Sequence, residues 1–214
     1  MERNTDAFGQ LIYDYYHARD ADIHEIIERD DGLIDVTNGL AFHFAPYKEW
    51  SPISKKAMAY VRGRVLDVGC GPGRVCLYLQ QQGHPVVGID TSSLVIEVAR
   101  QRGVRDARLL SITSASANKL GEFATIVMMG NNFGLFASPR RARWLLRRFY
   151  QMTGADGRLV AQSLNPYETE DPIHLADHHF NRQRGRLPGQ SRIRVRYKRE
   201  LPPGSTIYWY PQTR

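Results

Sequence analysis

From about residue 63 the chain alternates short apolar runs with segments whose apolar positions recur at helical spacing. Arg64-Val65-Leu66-Asp67-Val68 is a β-branched run that leads into a glycine cluster and then a helix to about Gln82. His84–Ile89 predicts a second strand, Ser92–Arg102 a second helix, and Ala107–Ile112 a third strand, with a short helix near Ser116. Phe123–Met129 is almost continuously apolar, as expected of a strand covered on both faces. Pro139–Met152 predicts a helix with Ala142, Leu145, Leu146 and Phe149 on one face, and Gly157–Leu164 supplies a fifth strand. Strand–helix alternation of this kind implies right-handed crossovers and a mostly parallel, doubly wound α/β sheet.

The flanking segments differ. Residues 6–29 read as two helical segments, the second from the spacing of Ile23, Ile26 and Ile27, and Ser51-Pro52 caps and starts another helix. This predicts an N-terminal helical appendage over residues 1–60, with Tyr13, Tyr15, Tyr16 and Trp50 as lid candidates, before an α/β domain over 61–214. Near the other end Arg192–Tyr197 alternates strictly, and a Pro202-Pro203-Gly204 turn and Thr206–Tyr210 complete an expected C-terminal β-hairpin. That hairpin either completes the main sheet or leaves an edge that a second copy could cover in a homodimer.

With 214 residues, 42% hydrophobic and 24% charged, the chain has the size and composition of one globular domain. No apolar run approaches the roughly 18–20 residues that cross a bilayer, so no membrane partner is expected. The polar start Met1–Asp6 lacks a secretory pattern, which makes a cytoplasmic location the expectation. Two cysteines, Cys70 and Cys76, form neither a disulfide framework nor a metal spacing. The net charge of +7 is concentrated late, at Arg140, Arg141, Arg143, Arg147 and Arg148 and again from Arg182 to Arg199. It admits a nucleic-acid partner without favouring one.

The chemistry concentrates at Val65–Gly73, where a strand turns into a helix around Gly69, Gly71 and Gly73. Glycines there let backbone approach a ligand, and the helix start offers free N–H groups. Asp90 ends the second strand 21 residues beyond Gly69, placed to accept hydrogen bonds from ribose hydroxyls. A nicotinamide fingerprint would require glycine at position 74, which is Arg74. The acidic Asp67, two residues before the first glycine, instead suits a ligand with an amino-acid end, because it attracts an ammonium and repels a pyrophosphate. The spacing points to S-adenosylmethionine rather than NAD.

On these motifs, together with Val86–Ser92, Phe123–Asn132 and Gly154–Val160, residues 62–164 resemble a class I S-adenosylmethionine-dependent methyltransferase. The resemblance implies that Gly69, Cys70 and Gly71 line the methionine portion and that Asp67 holds its amino group. It implies Asp90 for the ribose, Thr91 and Ser92 at the edge of the adenine pocket, and Ser111 and Ile112 where an acidic residue commonly contacts adenine. Gly130 follows the fourth strand, where the transferred methyl group belongs. Asn131 and Asn132 become candidates for the acceptor or the methionine carboxylate, and Tyr167 after strand five for the acceptor. Asp171-Pro172 starts a helix that puts His174 and His178 on one face as further acceptor contacts. Lacking a third ligand, that pair defines no metal site. No catalytic residue is assigned, because methyl transfer from a sulfonium depends chiefly on alignment and on excluding water. The expected function is methyl transfer to a small-molecule acceptor. The alternatives are an RNA or other polyanion acceptor, and a non-catalytic protein that only binds the cofactor.

Overall fold

The computed structural model describes residues 6–18, 23–37 and 39–197, together with the backbone of a strand at 204–207. Five parallel strands form the central sheet: β3 (Val65–Val68), β4 (Val86–Asp90), β5 (Ala107–Leu109), β6 (Thr125–Met128) and β7 (Arg158–Ala161), in the order β5-β4-β3-β6-β7. The order reverses between β3 and β6, and at such a reversal the strand ends leave a crevice for ligand. Four crossover helices carry the chain between these strands: α4 (Arg74–Gln81), α5 (Ser93–Gln101), α6 (Ala117–Leu120) and α7 (Pro139–Thr153).

Period-2 alternation along β3 explains the two cores. Leu66 and Val68 face a cluster with Ile89, Ile126, Met128, Phe136, Leu145 and Phe149, while Val65 faces Leu79, Ile96, Ala99, Val104 and Val127 on the other side. Asp67 lies on the second face and is therefore buried with the apolar residues. The buried stripe of α7 is Ala142, Leu145, Phe149 and Met152; the expected Leu146 is 41% exposed, because it falls one position off that stripe. The caps expected at Ser51 and Asp171 accept a backbone N–H in the first turn of α3 (Pro52–Met58) and α8 (Pro172–Gln183), and Ser92 and Ser138 do the same for α5 and α7.

The flanks meet above this sheet. α1 (Ala7–Ala18) is helical as expected, but the second expected helix is a strand, β1 (Glu25–Arg29). It turns through Asp30–Gly32 into β2 (Ile34–Thr37) and pairs on its other side with β8 (Arg192–Arg196), giving an antiparallel sheet ordered β2-β1-β8-β9 with β9 at Gly204–Ile207. Ile26 and Ile27 have a spacing that a helix shares, yet β-branched neighbours before an Asp-Asp-Gly turn pair well as a hairpin, and the partner 168 residues away settles the matter. The C-terminal strands thus join the N-terminal ones and leave β7 at the edge of the parallel sheet. Residues 202–203 and 208–210 of the expected hairpin lie outside the described residues. α2 (Leu40–Phe44) follows β2, and Leu11, Ile12, Leu40 and Val195 pack on Val95 and Val98 of α5, fastening this layer to the core. Among the described residues no helix is long and apolar enough to cross a membrane.

Gly73 is a tight steric point where the glycine turn packs on the loop after α5. It has φ +87°, and a Cβ there would come within 2.3 Å of Val104 Cγ2. Gly73→Ala is expected to destabilise the protein by roughly 2 kcal/mol or more, read as a lower urea midpoint with an unchanged slope.

Candidate active site

A cavity of about 550 Å³ opens at the carboxyl ends of β3, β4 and β6. Its floor is the turn between β3 and α4. Gly69 and Cys70 both donate backbone N–H bonds to the Ile89 carbonyl, at 2.9 and 3.1 Å, which draws the turn against β4. Gly69 has φ +70°, and a Cβ there would meet Asn132 Nδ2 at 2.5 Å. The close approach is used: Asn132 Nδ2 donates to the carbonyls of Val68 (3.0 Å) and Gly69 (2.8 Å), stitching the loop after β6 to the glycine turn.

Asp90 stands at the end of β4. It accepts backbone N–H bonds from Gly71 (3.1 Å), Thr91 (2.7 Å) and Ser92 (3.1 Å), which aim its carboxylate. Burial pushes its pKa up despite these bonds. Ser92 caps α5 through Val95 N–H at 3.0 Å and also donates its hydroxyl to Asp6, tying α1 to the rim.

Two charged groups in the wall lack ordinary partners. Asp67 is fully buried, receives only the Cys76 thiol at 3.2 Å, and has its pKa raised to about 7, chiefly by burial. Arg74 is 8% exposed, with its guanidinium stacked on Phe42 (3.9 Å) and Trp50 (4.7 Å), and it makes no hydrogen bond to a described residue. Burial lowers its pKa to about 10, and Asp67 opposes that shift. A buried carboxylate and a buried guanidinium, both facing one cavity with spare hydrogen-bonding capacity, fit a zwitterionic amino-acid end. Asn131 adds a carbonyl oxygen, buried and unpaired, from a backbone at φ +65°.

All ten residues expected at the cofactor line this cavity: Asp67, Gly69, Cys70, Gly71, Asp90, Thr91, Ser92, Ser111, Ile112 and Gly130. Asn131 and Asn132 line it too, although the Asn132 amide is committed to the glycine turn. The Ser111 hydroxyl is engaged with Thr113, capping a short helical turn. Tyr167, His174 and His178 are not among the lining residues. Tyr167 is 46% exposed, His174 lies 2.8 Å from the Thr169 hydroxyl on the surface, and His178 is buried against the Tyr167 ring. Asp177 of α8 contacts Arg29 of β1 and accepts the Ser191 hydroxyl just before β8, no α8 residue lines the cavity, and among the described residues no metal-binding cluster occurs.

The opposite wall comes from elements whose sequence gave no such signal: Phe8, Glu25, Ile27, Phe42, His43 and Ile193. Tyr13, Tyr15 and Tyr16 pack with the α1 core, and Trp50 packs on Arg74 and Tyr78, so none of the four forms a lid over the cavity. Arg74 was legible in principle. As the first residue of α4 its side chain leans back toward the helix start, over the glycine turn.

A parallel sheet with a glycine turn after β3 and a carboxylate after β4 defines a nucleoside-binding α/β domain. Residues 65–157 match the family model described as a methyltransferase domain. A crystal structure of an S-adenosylmethionine-dependent methyltransferase from Bacteroides fragilis, holding S-adenosyl-L-homocysteine, is 28% identical, with a TM-score of 0.76 over 98% of this chain and 83% of that one. A protein of Geobacillus sp. (strain WCH70) named as a methyltransferase is 25% identical over 133 residues, which cover 59% of this chain and 54% of that protein. The 2-heptyl-1-hydroxyquinolin-4(1H)-one methyltransferase of Mycobacteroides abscessus is 35% identical over 72 residues, 31% of this chain and 32% of that enzyme. The chain thus spans about half or less of these curated relatives. Over residues 65–157 and in its fold, the chain is thus similar to S-adenosylmethionine-dependent methyltransferases.

Because the folded Asp67 pKa lies above the ordinary carboxylate value of 3.8, the native state holds an extra proton between about pH 4 and 7, and stability falls as pH rises through that window. Asp67→Asn is expected to raise the melting temperature of the ligand-free protein by roughly 5 °C at pH 8 and to change it little at pH 5, where Asp67 is already neutral. Thermal scans at the two pH values check this.

Proposed function

We propose that this protein transfers a methyl group from S-adenosylmethionine to a small-molecule acceptor. The observation that carries the reading is one cavity with two unlike halves. The first holds Asp67, Arg74, the glycine turn and Asp90; the second is walled by residues of α1, β1, α2 and β8. A polymer would need an open groove, whereas this second half is roofed by a sheet.

In this reading Asp67 holds the ammonium and Arg74 the carboxylate of the methionine portion, with Gly69, Cys70 and Gly71 against its chain. Asp90, pre-aimed by backbone amides, takes the ribose hydroxyls, and Thr91, Ser92, Ser111 and Ile112 border the adenine. When bound, the cofactor supplies an electrophilic methyl group on a sulfonium sulfur. The chain's part is to hold the acceptor in line near Gly130 and Asn131 and to keep water out under the roof. α1, β1 and α2, joined by β8, contribute most of the acceptor wall, and the parallel sheet carries the cofactor half.

The polyanion alternative rests on α7, where exposed Arg140, Arg143 and Arg147 are interleaved with Trp144 and Tyr150. Such a surface suits nucleic acid.

Calorimetric titration tests both readings. S-adenosylmethionine is expected to bind at micromolar concentration and NAD not at all, with Asp90→Ala weakening binding at least tenfold; absence of S-adenosylmethionine binding overturns the proposal. A single-stranded RNA oligonucleotide is expected to bind weakly or not at all. Affinity that falls steeply with salt and is lost in Trp144→Ala would favour the polyanion instead.

A further inference from the structure

Resting on that reading of the cofactor half, we propose that the acceptor is an amine, held and charge-compensated by Glu25. Glu25 opens β1, and the alternation of the strand puts Glu25 and Ile27 toward the cavity while Ile26 is not part of its wall. The side chain is nine-tenths buried and has no hydrogen-bond or ion-pair partner among the described residues. A buried carboxylate left unpaired is costly, and it is relieved by an occupant that brings a cation or N–H donors.

The surroundings match. Phe8, Phe42 and Ile27 offer apolar and aromatic surface to the body of such an acceptor. His43 packs edge-on to Phe8 and Phe42, with ring centroids 5.5 Å apart in both cases, and contributes a neutral imidazole, its pKa lowered to about 4 by burial and by Arg74. Of the cations in the wall, Arg74 stacks on Phe42 and its charge acts on Asp67 and His43, Arg141 is exposed in the first turn of α7, and neither makes an ion pair with Glu25. Asp35, paired in register with Ile27, adds a second negative charge close enough to raise the pKa of Glu25.

Charge flow makes the assignment selective. The lone pair of a neutral amine forms the new N–C bond, the methyl's bond to sulfur breaks with its electron pair kept by sulfur, and the positive charge passes to nitrogen. The surplus proton on nitrogen then leaves to water. A carboxylate beside that nitrogen stabilises the charge as it develops. The same carboxylate would repel a phenolate, thiolate or carboxylate acceptor.

The test uses matched probes: benzylamine, benzyl alcohol and benzoate, titrated into the protein saturated with S-adenosylhomocysteine. Benzylamine is expected to bind at least tenfold more tightly than benzyl alcohol, with benzoate weakest, and the preference is expected to vanish in Glu25→Gln at an unchanged melting temperature. Equal or reversed preference in the wild type, no benzylamine binding, or a preference that survives Glu25→Gln in folded protein each overturns the inference. Should Glu25→Gln fail to fold, the ranking in the wild type decides. Should S-adenosylhomocysteine itself fail to bind, the cofactor reading falls, and the same ranking measured on the ligand-free protein still decides the amine site.

Discussion

Asp90 takes three backbone N–H bonds, from Gly71, Thr91 and Ser92, and through them it holds two turns in register. One is the glycine turn after β3, the other the start of α5. Ser92 then passes the constraint on, because its hydroxyl donates to Asp6, which in turn accepts the Gly9 N–H at 2.8 Å. A continuous run of hydrogen bonds therefore leads from the cofactor end of the cavity to the helix that begins the roof. Asp6 raises the pKa of Asp90, a reminder that two carboxylates share this rim and that Ser92 bonds to both. Hydrogen bonds to a charged group in a site of low dielectric are among the stronger ones available to a protein, which suits a junction on which so much geometry rests.

The parallel half of the molecule was legible because its determinants are local. Val65–Val68 carries its own β-branched pattern, Gly69, Gly71 and Gly73 their own turn, and Asp90 its own place at a strand end. The ten residues expected at the cofactor line one cavity for the same reason. The roof was not legible. Whether Ile26 and Ile27 sit on a helix or a strand depends on Val195 and Arg196, which no window around residue 26 contains. Missing that pairing also hid Glu25 and Ile27, since only a strand puts them on one face. His174 and His178 do share a helical face as their spacing implied, but the spacing carries no information about where α8 lies.

The two halves of the cavity are therefore built on different principles. The cofactor half is made of backbone amides, glycines and carboxylates fixed by the sheet, and the charges of Asp67 and Arg74 are buried there with little protein compensation. The other half is made of side chains on a separate antiparallel sheet and on α1 and α2. Such a division lets one scaffold hold a common ligand while the roof sets what is brought to it.

The roof also has a history within each molecule. Every pairing of the parallel sheet lies between residues 65 and 161, whereas β1 meets β8 across most of the chain. Closing so long a loop costs entropy that only an already compact core can offset, so this sheet forms late. During synthesis the parallel core can assemble while β1 waits with one edge unpaired, and the far wall of the cavity is completed only when residues 192–196 have emerged. The part of the protein that walls the second half of the cavity is the part whose folding depends on both arms of the chain at once.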